Sequence, residues 1–118
     1  MNLAEENDLH LANIPPGVTD WRDITPSVQP GARGVATVRA RQLGGVSLRR
    51  IEYGPGYLAD HWCGKGHVVH VLSGDLTIEH QDGSRYAVAL GATYHVGGDH
   101  PSPHRVRSQI GAVALVLD

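Results

Sequence analysis

The chain has 118 residues, with 8 histidines, 1 cysteine and no phenylalanine. That length suits one domain, its 41% hydrophobic and 19% charged residues fit a folded globular chain, and the lone Cys63 excludes an internal disulfide. A net charge of −2, with Arg scattered among Asp and Glu, lacks the basic excess that nucleic acid needs, and no apolar run approaches the roughly 20 residues of a membrane span.

Met1 to Leu11 carries acids and no basic-then-apolar signal pattern, so a cytoplasmic chain is expected, in keeping with its free thiol. Leu3 to Leu11 predicts one or two short helical turns, stopped by Pro15-Pro16. Residues 13–34 are rich in Pro and Gly and predict an extended arm with turns, with Trp21 and Ile24 packing on the main body. The arm is assigned residues 1–34 and the main domain residues 35–118. After Gly34 the chain breaks into short β-type runs. Val35 to Arg41 alternates apolar and polar residues, and Val46 to Tyr53 follows the turn signal Gly44-Gly45. Leu58 to Cys63, His67 to Leu72 and Leu76 to His80 read as strands, and Asp82-Gly83 predicts a hairpin into Arg85 to Leu90. Ala92 to Val96, His104 to Ser108 and Ala112 to Leu117 complete eight or nine strands. The predicted class is all-β, a sandwich or barrel, and closure into a barrel would also remove unpaired sheet edges.

Seven of the eight histidines fall between His61 and His104. If Leu58 to Cys63 is a strand, His61 and Cys63 share a face. Gly64-Lys65-Gly66 lets the chain bend, and His67 then starts the next strand facing the same pocket. His104 supplies a fourth group from a distant strand, with His100 as its competitor. Imidazole and thiolate are preferred ligands of zinc and several other transition metals. The candidate ligands are therefore His61, Cys63, His67 and His104. Cys63 has two other readings, a small buried hydrophobe and a reactive thiol. His70, His80 and His95 are read as structural or exposed, because His70 has the opposite parity to Val69 and Val71. Asp60 is expected to face outward or to support a ligand. Trp62 is expected between the main body and the arm. Tyr53, Tyr57 and Tyr94 are read as core residues, with the pocket mouth as their alternative. Arg49 and Arg50 are adjacent in a strand, so one of them faces inward, where it would suit a carboxylate ligand.

Residues 44–118 resemble a small single-domain cupin of the subset carrying an Asp-His-Trp-Cys stretch. The usual first cupin motif reads Gly, a gap, His-x-His, three or four residues, Glu, six residues and Gly. Here it runs Gly56, His61-x-Cys63, three residues, His67, six residues and Gly74. The second motif, normally Gly, five residues, Pro-x-Gly, two residues and His, is represented by Gly91 and His104 without Pro-x-Gly. The resemblance implies a jelly-roll barrel with an interior metal and a small-molecule ligand or substrate, and cupins of this kind often pair as homodimers. Cys63 stands where the second His is usual and His67 where Glu is usual. A set of three His and one Cys shifts preference from manganese toward one divalent transition-metal ion, zinc or iron first and nickel or copper next. Met1 is the only methionine, so the axial thioether of a blue-copper site is missing.

Two functional classes follow. Three His with open positions would resemble the oxygenase-like centres of metal-dependent enzymes. Four protein ligands around zinc would make a closed, non-catalytic module whose thiolate responds to oxidation. A metal-free barrel holding an apolar ligand is the third reading. No phosphate loop, nucleotide fingerprint or nucleophile–base–acid motif selects a reaction.

Overall fold

Alternation builds the strands. Ala36 and Val38 are buried in one segment, and Ala112, Ala114 and Val116 in another, the period of a strand with one face covered. The computed structural model describes residues 11–118, and ten strands run through them. These are β1 (Ser27–Pro30), β2 (Val35–Leu43), β3 (Val46–Tyr53), β4 (Tyr57–Leu58), β5 (His67–Gly74), β6 (Leu76–His80), β7 (Arg85–Val88), β8 (Thr93–Val96), β9 (His104–Ser108) and β10 (Ala112–Leu117). Six form one antiparallel sheet in the order β1-β2-β3-β10-β5-β8, and four form the other, β4-β9-β6-β7. The helical turns expected between Leu3 and Leu11 lie outside the described residues, except for Leu11.

The core lies between the two sheets. Val71, Ile78 and Ala114 are fully buried there, beside Val69, Leu76 and Val116. Parity along β5 turns His67, Val69 and Val71 inward and His70 outward, where its Nδ1 meets Thr93 Oγ1 at 2.7 Å. Residues 14–34 are largely extended, with one 3-10 turn at Trp21–Asp23, capped by Asp20. Its last part joins the sheet, because Ser27–Pro30 pairs with β2 from Val38 back to Val35. Trp21 and Ile24 are half-buried.

Two expectations need correction. The stretch from Leu58 to Cys63 is not one strand. β4 ends at Leu58, and only Cys63 returns to the sheet, as an isolated bridge to His104. Asp60 to Gly66 is a loop that contains Gly64 and Gly66 and buries none of its residues fully. The two sheets also stay separate instead of closing into one continuous ladder. At the seam, the rings of Tyr86 on β7 and Tyr94 on β8 lie 5.6 Å apart, and no ladder joins these two strands among the described residues.

Close packing around Ile78 makes truncation there costly. Ile78→Ala should lower unfolding stability by about 2–5 kcal/mol, while Leu90→Ala, at a position 66% exposed, should change it by less than about 0.5 kcal/mol. Urea unfolding of both variants checks the pair.

Candidate metal centre

Cys63, His67 and His104 arrive from three separate segments. Cys63 lies in the loop after β4, His67 opens β5 in the larger sheet, and His104 opens β9 in the smaller one. Cys63 and His104 exchange backbone hydrogen bonds of 2.7 and 2.9 Å, which lock the loop to β9. One side-chain donor atom from each of the three residues lies within 4.8 Å of the others. Cys63 Sγ is 3.3 Å from His67 Nε2, and the His67 and His104 rings meet edge to face at 5.0 Å.

The donors also suit a cation in their protonation. His104 is 3% exposed. Burial, then the facing imidazoles of His67, His80 and His100, hold its pKa down at about 4. His67 is also held below its ordinary value. Burial is the largest cause, and Arg49 adds to it, while the Asp118 carboxylate works against it. Neutral imidazole is the form that ligates a metal. Soft sulfur and imidazole donors at this spacing therefore fit a transition-metal ion.

His67 is held from its far side. Its Nδ1 is 3.0 Å from Asp118 Oδ2, an ion-pair distance, although the carboxylate lies off the line of a ring N–H and gives no aligned hydrogen bond. A carboxylate behind a ligating imidazole fixes ring orientation and leaves the opposite nitrogen for the metal. The same Asp118 oxygen takes Arg49 Nη2 at 2.9 Å. Sequence reasoning did not single out Asp118. Its signal was the inward register of Ala112, Ala114 and Val116, which Asp118 continues with a charged group. Arg49 is the inward member of the Arg49-Arg50 pair, and Arg50 bonds Glu52 instead.

Three of the four expected ligands are thus brought together. His61 is exposed, and its Nδ1 pairs with Asp60 Oδ1 at 2.7 Å, outside the cluster though still lining the cavity. The shared-face argument for His61 and Cys63 required a strand that is not formed. His100 is on the surface, bonded to Ser102 O at 3.0 Å. His80 is buried between Tyr94 Oη (2.7 Å) and Ser102 O (2.9 Å). Trp62 carries Arg105 over its ring at 4.3 Å. Arg105 in turn bonds Glu79, a buried carboxylate facing Arg85 and Arg107 as well. Burial raises the Glu79 pKa, but the Arg105 hydrogen bond and the three guanidinium charges together leave it below its ordinary value.

The cluster forms part of the wall of a cavity of about 510 Å³ between the sheets. Its apolar lining includes Val38, Ile51, Val69 and Val116, and Tyr53, Tyr57 and Tyr94 also reach it. That size and character suit a small molecule.

The fold is a jelly roll of the cupin type. The chain is similar to ectoine synthase from P. lautus (19% identity, 86% of this chain and 76% of that one, TM-score 0.66). It is also similar to an RmlC-like cupin from Shewanella frigidimarina (14% identity, 89% and 91%, TM-score 0.65) and to a predicted oxalate decarboxylase from Thermotoga maritima (17% identity, 86% and 96%, TM-score 0.65). No protein-family model and no curated protein sequence matches the chain. These neighbours carry different names on one fold, so the fold by itself selects no reaction.

The depressed imidazoles set a pH response. His104 stays neutral in the folded chain down to about pH 4, whereas an unfolded histidine takes up its proton near 6.5. The unfolded chain therefore binds more protons between these values, and folding stability should fall as pH drops from about 6.5 toward 4. Thermal unfolding of chelator-treated protein across that range should show the decline, and His104→Gln should flatten it.

Proposed function

We propose that this chain binds one divalent transition-metal ion, zinc or iron, through Cys63, His67 and His104, and binds a small molecule in the adjoining cavity. The carrying observation is the convergence of one thiol and two imidazoles, from three separate segments, to within 4.8 Å at the wall of a 510 Å³ cavity. Asp118 orients His67, and the Cys63–His104 bridge sets the sulfur beside the second imidazole. His61 remains with Asp60 at the rim, so three protein donors leave coordination positions open to a ligand. That favours a ligand-binding or catalytic centre over a closed site with His61 as its fourth ligand. When bound, such an ion supplies Lewis-acid chemistry and, for iron, redox chemistry. The apolar walls bind the ligand and exclude water, and the polar groups at the cavity orient it. A ligating thiolate persists in a reducing compartment, which supports a cytoplasmic setting.

Elemental analysis of protein purified without chelator tests this reading. Wild type should carry close to one equivalent of metal. His67→Ala and His104→Ala should lose most of it, by roughly 10–100-fold or more in affinity, since removing a ligand costs at least as much as removing its support. His61→Ala should retain it. In cobalt-substituted protein, Cys63→Ser should abolish the sulfur-to-metal absorption band. Metal content unchanged in both His67→Ala and His104→Ala would falsify the assignment, and loss in His61→Ala equal to theirs would restore the four-ligand site.

A further inference from the structure

Among the described residues, two buried side-chain polar atoms have no hydrogen-bonding partner within the chain, Arg49 Nε and His67 Nδ1. Both belong to side chains that converge on Asp118 at the cavity wall. A guanidinium has five N–H donors, and Asp118 takes one of those of Arg49, through Nη2. Arg49 projects from the inward face of β3, with Ser47 two residues along on the same face and Gln42 opposite Ser47 on β2, all three lining the cavity. Lys65 stands at the exposed rim. An arginine on the inner wall of a cavity of mixed polar and apolar lining, with donor capacity left after its one ion pair, is built to hold an acceptor with a negative charge.

We propose that Arg49 anchors a carboxylate, so that the cavity takes a small organic monoacid with an apolar body. This rests on the preceding reading only in treating the cavity as a ligand site; the anchor itself needs no metal. Charge selects the monoacid. Asp118 already sets one negative charge 2.9 Å from the guanidinium, so beside Arg49 a monoanion meets less repulsion than a dianionic phosphate would. The carboxylate reaches the free guanidinium donors, and its apolar body covers Val38, Ile51 and Val116. Ser47 and Gln42 lie where they could add neutral hydrogen bonds toward the mouth. Asp118 acts as the counter-charge of the empty cavity, competing with the ligand for Arg49.

Calorimetric titration of the full chain, metal-loaded and chelator-treated, tests the anchor with acetate, pyruvate and benzoate, each against its amide, and with inorganic phosphate. At least one acid should bind roughly tenfold or more tightly than its amide, the range of one hydrogen bond to a charged group, and more tightly than phosphate. Arg49→Gln should weaken that acid roughly tenfold or more, Arg49→Lys should restore part of the loss, and Asp118→Asn should strengthen binding by freeing the guanidinium. Where Arg49→Gln unfolds, the acid–amide comparison and Asp118→Asn decide. Acid and amide binding alike, no acid binding, phosphate binding best, or Asp118→Asn weakening the acid would each overturn the anchor. Protein that carries no metal when purified without chelator, yet binds an acid through Arg49, would overturn the metal centre and leave the anchor standing. Normal metal content with acid binding indifferent to Arg49 would do the reverse.

Discussion

Two backbone hydrogen bonds between Cys63 and His104 organise the whole site. The loop from Ala59 to Gly66 has little packing of its own, and its glycines would let it take many paths. The reciprocal bridge removes that freedom at one residue. It sets the Cys63 thiol beside β9 just where β9 presents His104 inward, and it brings the chain back to the sheets in time for His67 to begin β5. The sulfur is therefore placed by main-chain pairing, not by contacts of the cysteine side chain. Such placement is insensitive to the identity of neighbouring side chains and suits a group whose chemistry matters more than its packing.

A second organising element is Asp118. One carboxylate oxygen faces Arg49 from β3 and His67 from β5, on either side of β10 in the same sheet. A charge this little exposed is tolerable only when partnered, and Asp118 has two cationic or potentially cationic partners. The arrangement links the orientation of the imidazole at the cluster to the position of the guanidinium along the cavity wall. Anything that draws Arg49 away from Asp118 changes the field felt by His67.

Much of this was legible in the sequence, where a local rule governed the outcome. The period of two placed β3, β9 and β10 at their observed bounds and β2 and β5 two residues short at their ends, because each buries one face against a shared core. The same rule turned His70 outward and made one of Arg49 and Arg50 an inward charge. Legibility ended where the backbone left regular structure. Reading Leu58 to Cys63 as one strand puts His61 on the face of Cys63, but the chain leaves the sheet after Leu58. Its path is set instead by a pairing with a residue about forty positions later, which no local pattern encodes. Asp118 escaped notice for the opposite reason. It continues a clear alternation, yet a charge at the next inward position reads as the end of a strand unless its partners on β3 and β5 are known.

The separation of the two sheets has a mechanical consequence. His67 belongs to the six-stranded ladder and His104 to the four-stranded one, and the ladders are not joined along the seam where Tyr86 and Tyr94 meet. An ion gripping both imidazoles would act as a rivet through two plates. Its benefit would be spread over the sandwich as resistance to the plates sliding or parting, and the rings that run from His104 through His80 to His100 would carry that stiffening outward to the surface.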